Sequence, residues 1–464
     1  MSTKHTFTAL TLALSIILGG LSQSDSQKYN RIEILPSDQR SGDPEAGFNY
    51  LVNGAYVHSG IPFDAFGSFL PKDSTNILNR EGQSAYVTPT FNLTEHDNGV
   101  KLLTPNCLTC HADKINGEFI VGLGNNSFDY TINTNAMTNM LSMVIKQRFT
   151  EASKEWEAFE AFHKSSSALS DNITTKVRGI NPADKLTSVL VAHRDNQTLE
   201  WLDKPALEIP EKTIPTDVPA WWLLKKKNAM FSTGIGRGDF SRFLMASSLL
   251  TLKDSSEAAQ IDKQFPNVLA WINTIEPPKY PKDINHELAQ KGKKLFDLNC
   301  SSCHGTYGKD ESYPNLLISL EEVGTDPELS KAYTDGLYSN FVNWYEDSWF
   351  AKGSHPGKIV IEPGYVAPPL DGVWATAPYF HNGSVPQIEA VLNSKIRPTY
   401  WSRTFDSHDY NYEKLGWNYQ RQESKNDNQT YDTSLEAYGN TGHTFGDDLT
   451  QDERMAVIEY LKTI

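Results

Sequence analysis

The sequence predicts a mainly α-helical protein of two domains with long irregular loops and insertions. Three observations favour this fold class. The chain has 464 residues, which is enough for two or three domains. A five-residue motif, Cys-x-x-Cys-His, occurs twice and far apart, at residues 107–111 and 300–304. Apolar residues recur at helical spacing over 133–148, 154–167 and 286–300, whereas much of the intervening sequence is polar and interrupted by proline.

The repeated motif uses all four cysteines of the chain and has the spacing of a covalent haem c attachment site. Two thiols bond to the porphyrin, and the next residue offers an imidazole to the iron. Disulfides, redox dithiols or halves of a four-thiolate zinc site are the alternatives, but none of them requires the histidine. We therefore expect two covalently bound haem c groups. The predicted haem-binding residues are Cys107, Cys110, His111, Cys300, Cys303 and His304.

The composition narrows the classes of partner. A net charge of −15 and a pI near 5.3 speak against nucleic acid, whose phosphates would repel this surface. A basic redox protein is a more suitable partner because opposite charges speed encounter. The alternative is that the acidity only keeps an exported protein soluble. With 39% hydrophobic residues and a mean hydropathy of −0.47, the composition is that of an ordinary non-membrane protein.

Residues 1–24 resemble a secretory signal peptide. Lys4 and His5 form a weakly basic start, Phe7 to Leu21 is an apolar run, and small or polar residues follow. The run is shorter than the roughly 20 apolar residues of a spanning helix, although an uncleaved anchor is the alternative. We expect a periplasmic or secreted protein without stable membrane insertion after cleavage. This compartment agrees with the haem prediction, since haem c is attached outside the cytoplasm in similar bacterial systems.

A proline-containing segment at 275–286 predicts the boundary between the domains. The N-terminal haem domain would cover 25–279 and the C-terminal domain 280–464. The C-terminal domain starts with a helix that ends at Cys300. Its last helix begins at a capping box, Thr-Gln-Asp-Glu, at 450–453.

Two features of the N-terminal domain bear on its haem. The polar residues before Cys107 show no regular pattern, so we expect this motif to follow a loop. Met137, Met140 and Met143 lie at helical spacing, and methionine is a possible axial ligand. A methionine stripe at this spacing is more typical of a packed core, which is the interpretation we favour.

Paired tryptophans, Trp221 and Trp222, precede three lysines at 225–227. One interpretation is a buried core residue pair followed by a solvated basic face. The functional alternative places an indole between the haems as an electron relay, with the lysines near a haem propionate. Trp222 is the candidate for this relay.

Residues 367–386 read APPLDGVWATAPYFHNGSVP. Their second half closely resembles the LTAPYFHDGSVP pattern of bacterial di-haem cytochrome c peroxidases and the related MauG enzymes. Trp374, the paired-tryptophan segment and Gly442-His443 are similar to the rubber-oxygenase type of di-haem cytochromes, a branch of the same superfamily. The resemblance covers the second domain well, but only the haem motif and the order of parts in the first. It implies a cytochrome c-like fold for each haem domain.

The resemblance also implies a division of labour. The haem on His111 would react with hydrogen peroxide, or alternatively with dioxygen, and the haem on His304 would take electrons from a small redox protein. A second alternative is a di-haem electron carrier without substrate turnover. The length of the first domain favours an enzyme, because a carrier needs a much shorter domain for each haem. This chain is shorter than the rubber oxygenases, so their substrate does not carry over.

The sixth ligand of the His304 haem has two candidates. His443 lies in a loop between glycines, which permit close approach to a porphyrin, and it is the first choice. His381, which matches the superfamily histidine, is the second choice. For the other haem, His58 and His96 are possible ligands or proton shuttles, although such histidines are more often solvent-facing or hydrogen-bonded.

Calcium is a further implication of the resemblance. In the peroxidases a calcium ion lies between the domains, held by two carbonyls that match Thr376 and Pro378 and by an asparagine of the first domain. The sequence does not identify that asparagine. Oxygen ligands of this kind suit calcium.

Overall fold

The computed structural model describes residues 31–66 and 75–464. The predicted signal peptide at 1–24 lies outside these residues. Helices account for 37% and strands for 13% of the structure, so small sheets accompany the helices and the mainly α prediction is only partly met. No helix in the described ranges is long and apolar enough to cross a membrane.

The helices fall into two groups along the chain. Those before residue 280 are α1 (Pro44–Asn53), α2 (Phe63–Phe66), α3 (Asn135–Phe149), α4 (Lys154–Ser170), α5 (Ala183–Ala192), α6 (Phe240–Leu244), α7 (Ser255–Asp262) and α8 (Phe265–Ile272). Those after it are α9 (His286–Asn299), α10 (Ser301–His304), α11 (Leu320–Val323), α12 (Glu328–Thr334), α13 (Ser339–Asp347), α14 (Ile388–Leu392) and α15 (Gln451–Leu461).

The strands are short and pair in antiparallel sheets of two or three strands. They are β1 (Arg31–Glu33), β2 (Ile61–Pro62), β3 (Phe91–Glu95), β4 (Lys101–Pro105), β5 (Ala112–Ile115), β6 (Glu118–Val121), β7 (Gly236–Gly238), β8 (Leu316–Ile318), β9 (Gly357–Ile359), β10 (Tyr365–Val366), β11 (Tyr400–Ser402), β12 (Tyr410–Asn411), β13 (Gly416–Trp417), β14 (Gln420–Arg421) and β15 (Thr430–Asp432). The sheet orders are β2-β4-β3, β5-β6, β1-β8-β10, β7-β9, β14-β11-β15 and β12-β13.

The first motif lies between two hairpins, β3-β4 and β5-β6. The expectation that a loop without regular structure precedes Cys107 is therefore wrong. The hairpin is hard to recognise because the buried face of β3 carries polar residues, Asn92 and Thr94. Asn92 is satisfied there, since its side chain donates to the carbonyls of Leu51 and Gly54 at 3.0 and 3.1 Å. The strand therefore lacks the apolar alternation by which a half-buried strand is recognised.

The second motif is positioned by two helices that pack closely together, as the sequence predicts. Helix α9 ends beside Cys300, and α15 begins with the predicted capping box between Thr450 and Glu453. Gly292 of α9 lies so close to α15 that an added Cβ would be 1.8 Å from the carbonyl oxygen of Ala456. A glycine at this position permits the close crossing of the two helices.

The methionine stripe of α3 does not belong to the core. Met137, Met140 and Met143 are exposed by 54%, 50% and 53%, and the buried face of the helix consists of Thr138, Ser142 and Ile145. The helical period is right, but the expected orientation is wrong. Spacing fixes which residues share a face, whereas packing of the smaller side chains against α4 decides which face is buried.

Two large buried clusters form the interior. The larger one joins α1, α5 and α8 with α12, α13, Trp401 and Tyr431. The other surrounds α9 and α15 and includes Leu123 and Trp222 from the first half. Each cluster thus contains residues from both sides of the boundary predicted at 279/280, which stays a prediction.

Candidate functional site: the two Cys-x-x-Cys-His motifs

The second motif places a neutral imidazole at the end of a helix. In this turn the backbone N–H groups of Cys303 and His304 donate to the carbonyl of Cys300 at 3.1 and 3.0 Å. The ring atom Nδ1 of His304 lies 2.8 Å from the carbonyl oxygen of Pro368. Since only a protonated nitrogen can donate to a carbonyl, we assign the proton to Nδ1, which leaves Nε2 with a free lone pair. This is the arrangement of an imidazole that ligates a metal.

A cavity of about 330 Å³ opens beside this motif. Most of its lining is apolar, and it includes the two thiols of the motif together with His304, His381 and His443. It extends toward the first motif as far as the loop that contains Gly124. An apolar cavity with two thiols and an imidazole at its wall fits a large apolar disc such as haem.

His443 lies across this cavity from His304. The centres of the two rings are 6.1 Å apart. Two imidazoles on opposite sides of one metal ion have centres roughly 6 Å apart, because each metal–nitrogen distance is about 2 Å. Burial lowers the pKa of His443 to about 3, so its ring is neutral at physiological pH. The residues present therefore fit a haem iron between His304 and His443.

The loop that carries His443 is held from outside the cavity. The residue has a positive φ of 46°, an uncommon conformation for a residue other than glycine. Its backbone N–H donates to the Val323 carbonyl at 2.6 Å, and Arg397 donates to the carbonyls of Gly442 and His443 at 2.6 and 3.0 Å. These bonds fix the direction of the imidazole.

His381, the second candidate, lines the same cavity but has a different ring partner. Its ring stacks on Tyr365 with centres 4.1 Å apart and planes 16° apart. Its Nε2 atom is buried and has no hydrogen-bond partner within the described residues, and burial lowers its pKa to about 3. The structure thus pairs His304 with His443 and leaves His381 at the wall of the cavity.

The first motif has the same backbone turn. The N–H groups of Cys110 and His111 donate to the Cys107 carbonyl at 3.3 and 3.0 Å, as their counterparts do in the second motif. The Sγ atom of Cys107 lies 3.9 Å from a hydroxyl of Ser247, and that of Cys110 lies 3.8 Å from the hydroxyl of Tyr130. The local geometry is therefore suited to the same attachment chemistry at both places.

Of two adjacent tryptophans, one stacks on the first motif and the other is bonded to the segment that supports the second. The indole of Trp221 stacks on the ring of His111, with centres 4.5 Å apart and planes 20° apart. Trp222 is fully buried, and its Nε1–H donates to the carbonyl of Asp371 at 2.8 Å. The sequence singles out Trp222 and misses Trp221. The signal for both is their adjacency, since successive residues of the 3-10 helix Trp221–Lys226 point about 120° apart.

The segment that Trp222 contacts also holds the second motif. Asp371 follows closely after Pro368, whose carbonyl accepts from His304. The hydroxyl of Tyr307 donates to the His304 carbonyl at 2.9 Å and accepts from the Leu370 N–H at 2.6 Å. The tryptophan pair therefore links the imidazole of one motif to the support of the other.

The cysteine alternatives find little support in the structure. The four thiols form no disulfide. Burial raises the pKa of Cys300 to about 12 and also raises that of Cys107, Cys110 and Cys303. A redox dithiol needs a lowered thiol pKa instead. Within residues 31–66 and 75–464, no group of three or more histidine, cysteine or acidic side chains is placed to hold a metal ion.

His58 and His96 form a separate cluster. Their ring centres are 4.9 Å apart, and His58 is paired with Glu257 and Asp97 at 3.3 and 3.7 Å. Neither histidine belongs to the lining of the cavity. Since this cavity lies beside the second motif, the role of His58 and His96 at the His111 haem stays a prediction.

Thr376 and Pro378, the residues matched to a calcium site, line the cavity. An asparagine of the first half does reach this loop, because the amide of Asn126 donates to the Ala377 carbonyl at 2.8 Å. Its oxygen atom Oδ1, however, accepts from Arg403 at 2.6 Å. A cationic side chain thus occupies the amide oxygen that calcium would need.

Comparison with known proteins finds similarity to two families in the region of the second motif. Residues 289–373 match the cytochrome c family, and residues 364–402 match the family described as RoxA-like, cytochrome c-like. The chain is 28% identical to the uncharacterized protein y4iM of Sinorhizobium fredii, over 42% of this chain and 48% of the relative. It is 29% identical to the uncharacterized protein y4iJ of the same organism, over 44% of each chain. The chain thus spans about half the length of these relatives.

These matches agree with the geometry of the second motif. The cytochrome c match contains Cys300, Cys303 and His304, and the RoxA-like match contains His381. This region matches the cytochrome c family, which implies covalently bound haem c. The findings support a haem c redox protein, and the RoxA-like match is consistent with that branch over residues 364–402.

Proposed function

We propose that this protein is an exported di-haem c oxidoreductase that reduces hydrogen peroxide at the His111 motif and receives electrons at the His304 motif. One observation carries the proposal, namely the asymmetry of the two motifs. His304 faces a second imidazole, that of His443, across the cavity. The ring contact of His111 is with Trp221, whose indole is not a metal ligand. Two ligands suit electron transfer, and one ligand leaves a face for a reactant.

When bound, haem c supplies an iron centre that accepts and donates single electrons. Cys300 and Cys303 would hold one group covalently, and His304 and His443 would bind its iron. The residues Cys107, Cys110 and His111 would hold the other. The chain itself supplies the neutral imidazoles, the apolar wall and the fixed spacing of the motifs.

The proposed reaction converts one hydrogen peroxide, two protons and two electrons into two water molecules. The O–O bond breaks, both peroxide oxygens are reduced to the level of water, and the two protons come from the buffered solvent. The electrons come one at a time from a reduced partner protein, which is oxidised. The net charge of −15 favours a partner with a basic docking surface.

The tryptophan pair offers a route for electrons between the His304 motif and the His111 motif. Trp221 lies against His111, and Trp222 is bonded to the segment whose Pro368 carbonyl holds His304. Two indoles on adjacent residues, one beside the first motif and one bonded to the segment that supports the second, are suited to carry electrons between the motifs. We assign both indoles to this relay.

Dioxygen activation is the second candidate, and the RoxA-like match at residues 364–402 favours it. The two candidates share the residues that hold haem and differ in the oxidant. Anaerobic turnover with added peroxide supports peroxide reduction, whereas oxygen consumption that depends on an added organic substrate supports the alternative.

The test begins with the holoprotein. Two haems per chain are expected from the pyridine haemochrome assay, with one low-spin and one high-spin ferric signal in EPR. The change His443→Ala should convert the low-spin signal to high-spin, whereas His381→Ala, at the wall of the same cavity, should leave it low-spin. Peroxide turnover with a reduced cytochrome as donor completes the test. Two low-spin haems in every redox state without turnover would instead identify an electron carrier.

A further inference from the structure

Arg403 is a buried cation that connects the two halves of the protein. Its guanidinium donates to both oxygens of Asn126, to Oδ1 at 2.6 Å and to the backbone carbonyl. The group packs on the ring of Phe405 at 4.2 Å and on that of Trp417 at 4.3 Å. Only 8% of the residue is exposed, and its Nη1 atom has no hydrogen-bond partner within the described ranges. Burial of an incompletely paired charge lowers the free energy of unfolding, so its presence here indicates a specific structural role.

The partner of Arg403 is tied directly to the first motif. Two backbone hydrogen bonds join the loop at 122–127 to the first motif. The N–H of Gly122 donates to the His111 carbonyl, and the N–H of Asn125 donates to the Cys110 carbonyl, both at 2.8 Å. Asn126 belongs to this loop. By holding Asn126, Arg403 therefore acts on the position of the first motif.

Asn126 is also bonded to the second half of the chain. Its side-chain amide donates to the Ala377 carbonyl at 2.8 Å, and the indole of Trp417 donates to the same oxygen at 2.9 Å. Ala377 lies between Thr376 and Pro378 in the loop that leads to His381. Arg403, Asn126 and Ala377 thus form one connection between the supports of the two haem motifs.

Two carboxyl groups and a second arginine, Arg178, lie near Arg403 and act on its charge in opposite directions. The carboxylate of Asp113 accepts from Asn126 N at 3.0 Å, and Asp217 lines the cavity nearby. Burial raises the pKa of both carboxyl groups, and the charge of Arg403 acts against this rise. Burial lowers the pKa of Arg403 to about 9, so the guanidinium remains mostly charged at pH 7.

The same residues do not fit a calcium ion. Calcium requires several free oxygen ligands, and both oxygens of Asn126 already accept from Arg403. A divalent ion at this loop would lie beside a fixed positive charge in a region of low dielectric constant, where repulsion is strong. The calcium implied by the resemblance is therefore not accommodated.

We infer that the guanidinium of Arg403 takes the place of the implied calcium ion where the 122–127 loop meets the 376–378 loop. Arg403 is a positioning residue, which keeps the loop of the first motif in register with the Thr376–Pro378 loop. A protein of this design holds its two motifs together without a dissociable metal.

The first experiment uses the wild-type holoprotein. It is dialysed with and without the chelator EGTA, and its calcium content, melting temperature and haem EPR spectrum are measured. We expect no stoichiometric calcium and no effect of EGTA on the melting temperature or spectrum. One calcium ion per chain whose removal lowers the melting temperature would overturn the inference.

The second experiment compares substitutions of two arginines, Arg403 and Arg178, that pack on the same ring of Phe405. Arg178 also packs on Phe405, at 4.2 Å, but donates to the Ser127 carbonyl and not to Asn126. We expect R403Q to lower the melting temperature by roughly 5 °C or more, as expected for a broken buried charge network, and to shift the EPR signals. R403K should recover part of the loss. R178Q loses only the bond to the Ser127 carbonyl in the same loop, so it should lower the melting temperature by less than R403Q does.

Equal effects of R403Q and R178Q would contradict the role of Arg403. If R403Q does not accumulate as folded holoprotein while R178Q does, the loss itself agrees with the inference. The chelation experiment on the wild type then remains the independent test, because it needs no variant.

Discussion

Burial keeps the imidazoles of the site neutral, and neutral imidazole is the form that binds a metal. Desolvation penalises the charged ring and lowers the pKa of His111, His381 and His443 to about 3 each. It also lowers the pKa of His304, against the opposing effect of the Pro368 carbonyl. At the scale of single residues, the fold therefore prepares these rings for ligation before any metal is present.

His381 offers a test of this burial through pH. Its pKa is about 3 in the folded protein and about 6.5 in an unfolded chain. As pH falls from 7 to 5 the unfolded chain takes up a proton and the folded protein does not, so stability falls. The expected loss is about 2 kcal/mol at pH 5. In H381Q the loss between pH 7 and pH 5, measured by urea unfolding, should be smaller by this amount.

The control for this experiment is H408Q, which changes an exposed histidine whose side chain is 65% accessible. Comparison of H408Q with H381Q separates the effect of the buried ring from that of removing a histidine at the surface. An identical pH dependence in the wild type and H381Q would show that His381 is not buried as a neutral ring.

The two tryptophans should differ in what they contribute. Trp222→Phe leaves the Asp371 carbonyl without its donor, which should lower the free energy of unfolding by about 1–3 kcal/mol. The Nε1 atom of Trp221 has no partner within the described residues, so Trp221→Phe loses no hydrogen bond and should cost less. The haem signals should respond in the opposite order, because Trp221 is the residue stacked on His111.

Chemical denaturation and EPR of the two holoproteins check this order. A larger loss of stability in W221F than in W222F would contradict the hydrogen-bonding scheme. Equal EPR spectra in W221F and wild type would remove Trp221 from the surroundings of the first haem.

Candidate haem-binding and relay residues could be predicted from the sequence where they belong to a short local motif. The two motifs, His443 and Trp222 were identified in this way, although their roles as ligands and relay stay predictions. Trp221, Asn126 and Arg403 were not identified. Each owes its place to a contact with a residue remote in sequence, and no local pattern distinguishes Arg403 from an exposed arginine.

At the scale of elements, the pair α9 and α15 depends on one glycine. A Cβ added at Gly292 would lie 1.8 Å from the oxygen and 2.4 Å from the carbon of the Ala456 carbonyl, so the helices must move apart. Alanine in place of glycine gains roughly 1 kcal/mol of helix propensity. Overpacking against backbone typically costs about 1–3 kcal/mol and occasionally more, and at this distance we expect the cost to exceed the gain.

G292A should therefore lower the free energy of unfolding, and it should weaken the low-spin signal because α9 carries Cys300 at its end. Gln290→Ala, on the exposed side of the same helix, is the matched control and should change little. Thermal unfolding of the holoproteins measures both. A variant G292A that is as stable as wild type would show that the crossing of the two helices can relax at no cost.

The helices were largely predictable because an apolar period and a capping box are local signals. Helices α3, α4 and α9 begin and end within a few residues of the predicted positions. The β3-β4 hairpin was missed because Asn92 and Thr94 occupy its buried face. The face of α3 was assigned wrongly because burial is decided by tertiary packing, which a period does not contain.

At the scale of the whole molecule, the second half of the chain completes the interior of the first. Helix α13 packs against α5, and the indole of Trp344 donates to the Arg194 carbonyl at 2.8 Å. The hydroxyl of Tyr333 donates to Asp184 of α5. The linker at 275–286 was predicted from proline content, which is a local signal. The interleaving of the two cores is a long-range property that no such signal contains.

This interleaving predicts that residues 280–464 do not fold alone. Four large side chains of this segment, Tyr338, Trp344, Tyr345 and Phe350, are buried in the cluster shared with the first half. At about 1.5–3 kcal/mol for each large apolar side chain, their exposure costs roughly 6–12 kcal/mol. A whole domain is stable by only about 5–15 kcal/mol. The segment expressed alone should therefore lack a cooperative urea transition and near-ultraviolet circular dichroism, both of which the full chain should show. A segment that unfolds cooperatively and carries low-spin haem would instead establish 280–464 as an independent domain.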